Sequence, residues 1–158
     1  MKTRILYYIS ALFILFAFVL SSCEGDDSAN TKDLEGHWIY QQTKAEVYAD
    51  EPELQEAVRN YIETNSKSYI RSYDFKNDRT YYYYRNYAEP IKGTYKVLDK
   101  NYFQMDDYNG IKTVISEPNS IYIISDVRDE ICKALNLDED RIIKVIVTDI
   151  YERGLHSN

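Results

Sequence analysis

The stretch YIRSYDFKNDRTYYYYRNY, residues 69–87, predicts a β-hairpin and so indicates a fold built from antiparallel strands. Tyrosine and phenylalanine favour strands, and they dominate residues 69–75 and 80–87 on either side of the polar segment KNDR, residues 76–79. Asparagine and aspartate are common in turns because their side chains hydrogen-bond to the nearby backbone. The stretch therefore predicts two antiparallel strands joined by a four-residue loop.

The length of this loop predicts which side chains of the hairpin share a face. If Phe75 lies opposite Thr80, the alternation of side chains along each strand gives two sets. One face then carries Tyr73, Phe75, Tyr82 and Tyr84. The other face carries Asp74, Arg79, Tyr81, Tyr83 and Arg85. Because the charged side chains belong to the second set, we expect the first set to point inward, together with Tyr95 of the following strand.

Eight strands and two helices are predicted along the chain. The strands are expected at residues 34–48, 69–75, 80–87, 91–98, 102–108, 111–116, 120–125 and 141–151. The helices are expected at residues 51–64 and 126–136, where apolar residues recur at helical spacing. A row of antiparallel strands leaves exposed edges unless the sheet closes. We therefore predict an all-β fold with two accessory helices, an eight-stranded antiparallel up-and-down barrel with room for side chains or one small ligand.

The first predicted strand opens with a motif that resembles the start of lipocalins. In LEGHW, residues 34–38, Gly36 stands two residues before Trp38. The Phe-x-x-Asp-x-Thr-Tyr pattern of residues 75–81 is similar to the first hairpin of bacterial lipocalin-like domains. The resemblance implies a lipocalin-like barrel over residues 34–153. It also implies that Gly36 lets the chain turn into the strand, that Trp38 plugs the closed end, and that Arg153 packs on the tryptophan.

Two features depart from the lipocalin pattern. The main helix of lipocalins follows the last strand, whereas the helices predicted here follow the first strand and precede the last. The Thr-Asp-Tyr motif of the lipocalin middle loop is missing from that loop, and Thr148-Asp149-Ile150 lies in the last predicted strand. The role of that motif is therefore not transferred to these residues.

The N-terminus has the pattern of a bacterial export signal. Lys2 and Arg4 precede an uncharged apolar run at residues 5–20, which is shorter than the roughly 20 residues that span a bilayer. The motif LSSC, residues 20–23, resembles the lipobox of bacterial lipoproteins. The resemblance implies a cleaved signal peptide at residues 1–22 and acylation of Cys23, which would attach the chain to a membrane. The alternative is an uncleaved membrane helix with a chance cysteine.

Residues 23–33 are acidic, small and poor in apolar side chains, which predicts a flexible tether. Acidic residues after the cysteine resemble a signal for lipoprotein display, so we expect an outer-membrane location, on the cell surface or the periplasmic face. Residues 154–158 are predicted to be a frayed tail.

Loss of Lys2 and Arg4 with the signal changes the formal net charge from -7 to about -9. Such a chain repels phosphate, so nucleic acid is not an expected partner.

Few residues suggest catalysis or metal binding. Cys132 is the second of two cysteines, and we expect its side chain to be buried as a small apolar group. The two histidines, His37 and His156, form no metal-ligand cluster with cysteine. Nucleophile, phosphate-loop and dinucleotide motifs do not occur in the sequence. We therefore expect no cofactor, no metal and no enzymatic activity.

The high tyrosine content, 17 of 158 residues, is the feature of the sequence that suggests a function. The first hypothesis is a binding protein whose pocket holds a small apolar or aromatic ligand, which a cavity above about 300 Å³ would favour. The predicted pocket residues are Tyr73, Phe75, Tyr82, Tyr84 and Tyr95. The second hypothesis is an envelope interaction or structural module, in which rings fill the barrel and outward tyrosines contact a protein or glycan. A third, a hydrolase or isomerase, would require two facing acids or an acid facing a histidine.

Overall fold

Eight strands close into an antiparallel barrel, in which each strand is hydrogen-bonded to its neighbours in sequence and the last strand to the first. The structure, a computed structural model, describes residues 31–107 and 110–154. The strands are β1 Gly36–Ala49, β2 Arg71–Phe75, β3 Thr80–Arg85, β4 Ile91–Asp99, β5 Tyr102–Asp107, β6 Gly110–Ser116, β7 Ser120–Asp126 and β8 Ile142–Arg153. The predicted up-and-down barrel is therefore confirmed. The predicted signal peptide, Cys23, residues 24–30 of the tether and residues 155–158 of the tail lie outside the described residues.

The described helices are α1 Thr31–Leu34, α2 Pro52–Ser66, α3 Arg128–Leu135 and a short 3-10 turn, Glu139–Arg141. Proline suits the first turn of α2 because its φ is already helical, and this helix buries Val58 and Ile62. Helix α3 buries Cys132, as predicted, and ends at Asn136 in the left-handed conformation. Helices α2 and α3 follow strands that run in the same direction, so both lie at one end of the barrel, the mouth. No helix of the described segments has the length and apolar character needed to cross a membrane.

The opposite, closed end is sealed by α1 and Trp38. The indole Nε1 of Trp38 donates to the carbonyl oxygen of Leu34 at 2.8 Å. The Arg153 guanidinium lies 4.3 Å from the centre of the Trp38 ring, which is the contact that the resemblance to lipocalins implies. The same guanidinium donates a hydrogen bond to the carbonyl oxygen of Asp33 at 3.0 Å. Gly36 has a φ of +129°, and a Cβ there would lie 2.9 Å from Arg153. Asp33, which the sequence assigns to the tether, is thus held against the barrel.

The hairpin of β2 and β3 has a register one residue away from the predicted one. Phe75 lies opposite Tyr81 rather than Thr80. The Lys76 N–H donates to the Thr80 carbonyl at 2.9 Å, and Arg79 within the loop has a φ of +65°. Three-residue hairpin loops use one residue in the left-handed region, which is what Arg79 supplies. The loop between the paired strands is therefore tighter than the sequence predicts.

A shift of one residue turns every side chain of a strand to the other face of the sheet. The prediction that Tyr82 and Tyr84 point inward is therefore wrong, and Tyr81 and Tyr83 take their place in the interior. Tyr81 is 1% exposed, and its ring lies across Gly93 of the neighbouring strand. A Cβ at Gly93 would lie 2.3 Å from this ring, so the absence of a side chain there makes room for Tyr81.

A bulge in β1 divides the barrel interior into two halves. The pairing of β1 with β8 shifts between Tyr40 and Gln42. Before the shift Trp38 and Tyr40 face the interior, and after it the inward positions are odd-numbered, beginning with Thr43 and Ala45. Bulges bend a strand and redirect its side chains. This one brings a threonine hydroxyl into the mouth of the barrel.

The buried side chains form two clusters, one in each half. The closed-end cluster contains Leu34, Trp38, Tyr73, Phe75, Tyr81, Tyr95, Phe103, Met105, Val114, Ile121, Ile123 and Tyr151. The mouth cluster contains Ala45, Val47, Ala49, Val58, Ile62, Cys132, Ile142, Val145 and Val147. The first cluster is rich in rings and lies inside the barrel, whereas the second consists of small and branched side chains that join α2 and α3 to β1 and β8.

Candidate functional site

The closed half of the interior is filled by aromatic rings. The ring centre of Tyr73 lies 4.8 Å from that of Tyr83, 5.2 Å from that of Tyr151 and 5.6 Å from that of Phe75. Phe75 lies 5.5 Å from Tyr95 in turn. These separations are those of rings in direct contact. Three predicted pocket residues, Tyr73, Phe75 and Tyr95, therefore occupy the interior themselves, and their contact with a ligand stays a prediction.

A cavity of about 330 Å³ lies at the mouth, between α2, α3 and the mouth ends of β1, β2, β3 and β8. Its apolar and aromatic walls are Tyr61, Ile62, Tyr69, Tyr83, Val127, Ile131 and Val147. Its polar walls are Thr43, Asn65, Ser66, Arg71, Arg85 and Asp149. A second cavity, of about 380 Å³, lies outside the closed end among polar loop residues, with Pro118 as its apolar wall. Of these two cavities, the mouth cavity has the more apolar wall.

Arg71 and Asp149 form an ion pair at the inner end of the mouth cavity. The Arg71 Nη1 lies 3.0 Å from the Asp149 Oδ2, and the two side chains are 14% and 20% exposed. The Thr43 hydroxyl donates to Asp149 and accepts from Arg71 Nη2 at 3.2 Å. The guanidinium also lies over the Tyr40 ring, 3.9 Å from its centre. The Tyr40 hydroxyl donates to Ser66 at 3.1 Å, so this network joins α2 to the barrel wall.

Arg71 keeps its charge in this setting. Burial by itself lowers the pKa of the Arg71 guanidinium, but the Asp149 carboxylate and the nearby phenols, Tyr151 first, raise it above its ordinary value. The Nε atom of Arg71 is buried and has no hydrogen-bond partner. An unpaired buried donor is unfavourable. The mouth therefore contains a fixed positive group whose hydrogen-bonding capacity is only partly used.

Arg85 is the second cation of the cavity wall. It lies directly opposite Arg71 in the pairing of β2 with β3. Its guanidinium lies 3.9 Å from the centre of the Tyr69 ring. Within residues 31–107 and 110–154, Arg85 forms no ion pair with an acidic side chain. The cavity wall thus carries two arginines and one aspartate.

Arg71, Arg85 and Asp149 were not predicted to be site residues, and Arg85 was expected on the outward face, but the sequence contains a signal for Arg71 and Asp149. Arg71 stands two residues before Tyr73 and therefore shares its inward face. Asp149 stands in the same way two residues before Tyr151. A charged side chain at an inward position of a strand requires a partner or a ligand, and that requirement could have identified the site. Tyr82 and Tyr84, by contrast, lie outside the barrel.

The structure contains little that resembles a reactive centre. Over the described segments no three or more histidine, cysteine or acidic side chains are grouped so that they could hold a metal ion. Burial raises the pKa of the Cys132 thiol, and a thiol with a raised pKa is a poor nucleophile at neutral pH. The wall of the mouth cavity combines apolar and charged side chains, a mixture that is common in ligand pockets.

No protein-family model and no curated protein matches the sequence. Among solved structures, the chain is similar to a Schistosoma mansoni fatty acid binding protein in complex with arachidonic acid. The TM-score is 0.42 and the sequence identity 8%, and the similarity covers 79% of this chain and 98% of that chain.

Proposed function

We propose that this chain is a lipid-anchored envelope protein whose barrel binds a small apolar or aromatic ligand in the mouth cavity. The observation that carries the proposal is the cavity itself, about 330 Å³ with seven apolar or aromatic side chains in its wall. This volume falls at the lower end of the range of ligand pockets, roughly 300–1,000 Å³. The ligand is therefore small. It lies near the helices rather than among the inward rings of the closed half.

The cavity also has the mixture of surfaces that ligand sites use. Apolar walls release water on binding, and a few fixed polar groups orient the ligand. Here Ile62 of α2, together with Val127 and Ile131 beside and within α3, contributes to the apolar wall, whereas the charged groups Arg71, Arg85 and Asp149 project from the strands. The network of Tyr40 and Ser66 holds the end of α2 in place over the cavity. A site fixed from two sides in this way is preorganised for a ligand.

The test is to fill the cavity and look for the loss of a bound molecule. The full chain is extracted from its own membranes in polymer discs without detergent, and the small molecules that accompany it are identified by mass spectrometry. Ile131→Trp places a large ring in the cavity, and Lys133→Trp places the same ring on the exposed side of α3 as a matched control. We expect a compound that is present with the wild type and Lys133→Trp but absent with Ile131→Trp.

Circular dichroism must show that both variants are folded. The same set of molecules in all three preparations would contradict the proposal.

A second candidate function is an envelope interaction module. The observation in its favour is a set of exposed apolar side chains near the mouth, with Ile70 68% and Tyr87 99% exposed. Exposed apolar groups of this kind occur at protein interfaces. If no small molecule accompanies the chain, crosslinking from position 87 in intact cells distinguishes this candidate, because an interaction module gives a discrete crosslinked partner and an isolated barrel gives none.

The anchor is a separate part of the proposal and depends on Cys23. The support is the LSSC motif at residues 20–23 after a short apolar run. Two or more acyl chains hold a protein stably at a membrane, whereas one chain holds it marginally. We expect the wild type to incorporate labelled palmitate and Cys23→Ser to incorporate none. Label in both proteins, or in neither, would contradict lipid anchoring at this residue.

A further inference from the structure

We propose that the ligand of the mouth cavity is an acid, with a small apolar or aromatic body and one carboxylate that binds Arg85. This inference rests on the proposed function, because it specifies the chemistry of the ligand in the same cavity. It comes from the charges of the cavity wall and the arrangement of the two arginines.

The cavity wall is electropositive although the chain is acidic. The formal net charge of the chain is -7, yet the charged residues of the wall are Arg71, Arg85 and Asp149. Asp149 is already engaged by Arg71 at 3.0 Å and by the Thr43 hydroxyl. The wall therefore keeps one positive charge that no side chain of the cavity balances. Arg85 carries that charge on the solvent-exposed side of the cavity, where an incoming anion can reach it.

The two arginines face each other across neighbouring strands. Arg71 of β2 and Arg85 of β3 are direct partners in the pairing. Like charges at directly opposite positions destabilise a sheet. One aspartate offsets one of these charges, and a bound anion would offset the other. Arg85 is exposed, so solvent screens part of the repulsion between the two guanidinium groups, and a bound acid would reduce the remainder.

Arg85 is placed to contact the acid. Its guanidinium lies over the Tyr69 ring, 3.9 Å from the ring centre, and among the described residues no acidic side chain pairs with its N–H groups. A planar guanidinium binds a carboxylate through two parallel hydrogen bonds. The apolar wall formed by Ile131 and Val147 lines the same cavity. One molecule can therefore place its carboxylate on Arg85 and its apolar body against this wall.

The test compares acids with neutral ligands of the same shape. Three acids are used, 2-naphthoate, 4-cyclohexylbutanoate and decanoate, each together with its primary amide. Binding to the full chain in lipid discs is measured by calorimetry, with empty discs as the blank. We expect at least one acid to bind about tenfold more tightly than its amide. We expect Arg85→Met to remove this preference, because the acid weakens while the amide changes less than twofold.

A matched control removes an equal charge outside the cavity. Lys92 is exposed on β4 and lies 5.8 Å from the outward Tyr82 ring, so Lys92→Met should leave the preference for the acid unchanged. Equal binding of acid and amide to the wild type would overturn the inference and leave the proposed function intact. A preference that survives Arg85→Met, or that Lys92→Met also removes, would likewise overturn it. If neither form of any pair binds at 1 mM, the proposed function and the inference both fail.

Discussion

At the closed end of the barrel Trp38, Phe75 and Tyr95 are buried against one another, and the hydrogen-bonding groups of Trp38 and Tyr95 are paired with backbone carbonyls. At the mouth the interior contains a cavity of about 330 Å³ and an ion pair. The same tyrosine-rich strands form both regions. In the first region the rings replace solvent, whereas in the second the strands carry arginine and aspartate on their inward faces. The difference indicates that the closed end is a packed core, whereas the mouth keeps open space beside charged groups.

The bulge of β1 marks the boundary between the two regions. Trp38 and Tyr40 come before it on the inward face, and Thr43 comes after it. Beyond this point the inward residues of β1 are small, ending with Ala45, Val47 and Ala49. Small side chains fill less of the interior, and α2 packs against them from the mouth. The small side chains of β1 therefore make room for α2, and Thr43 beside the bulge reaches the cavity wall.

Loss of a ring at the closed end should have the largest effect on stability. Phe75→Ala removes a fully buried ring from between Tyr73 and Tyr95, and we expect it to lower the free energy of unfolding by about 3–5 kcal/mol. Ile131→Ala at the mouth removes a partly buried side chain beside an existing cavity, and we expect about 1–2 kcal/mol. Urea denaturation followed by circular dichroism measures both. Similar losses would contradict the contrast between the two ends.

The register of the hairpin can be tested by two neighbouring tyrosines. Tyr81→Ala removes an inward ring that is 1% exposed, and we expect a loss of about 3 kcal/mol. Tyr82→Ala removes an outward ring, and we expect a loss below about 1 kcal/mol. Thermal unfolding of the two variants under identical conditions gives the comparison. The reverse order would restore the register in which Phe75 faces Thr80.

The ion pair at the mouth should contribute less than the rings. Asp149→Asn leaves the Arg71 charge without its partner, and we expect a loss of about 1–3 kcal/mol, reduced from the value for a fully buried pair because both side chains are partly exposed. The double variant Arg71→Met with Asp149→Leu should recover most of this loss. A double-mutant cycle of Arg71→Met, Asp149→Leu and the double variant gives the coupling from urea midpoints, and strictly additive effects would show that the two groups act independently.

The smallest expected effect on stability at neutral pH concerns the buried phenol of Tyr95 at the closed end. Burial, followed by the charge of Glu35, raises the pKa of Tyr95 to about 12 from the ordinary value of 10. The neutral phenol is favoured in the folded state, so its contribution to stability is complete below pH 10 and is lost as the pH rises toward 12. We expect urea midpoints to fall over this range, and to fall less in Tyr95→Phe.

The control for this titration is the neutral-pH stability of the phenylalanine variant. Tyr95→Phe also removes the hydrogen bond from the phenol to the Lys76 carbonyl at 2.7 Å, for which we expect a loss of about 1 kcal/mol at pH 7. The urea midpoint of each protein at each pH is therefore expressed relative to the midpoint of the same protein at pH 8. Identical slopes for the two proteins between pH 10 and 12 would contradict the raised pKa.

Much of the fold follows from local patterns. The strands and helices could be predicted to within a few residues because alternation, helical spacing and turn residues are each encoded over a few consecutive positions. The contact of Arg153 with Trp38 could be predicted from the resemblance to lipocalins, and the structure contains it at 4.3 Å. The lipid anchor at Cys23 is likewise a prediction from the sequence, and it lies outside the described residues.

The tertiary structure decided the register and the site. The hairpin register depends on Arg79 adopting a positive φ, which non-glycine residues do rarely, so the sequence pattern does not reveal it. The bulge that places Thr43 at the mouth depends on the pairing of β1 with β8. The ion pair joins Arg71 to a residue 78 positions away. Local sequence determines which face of a strand is apolar, but only closure of the barrel determines which distant charges share a cavity.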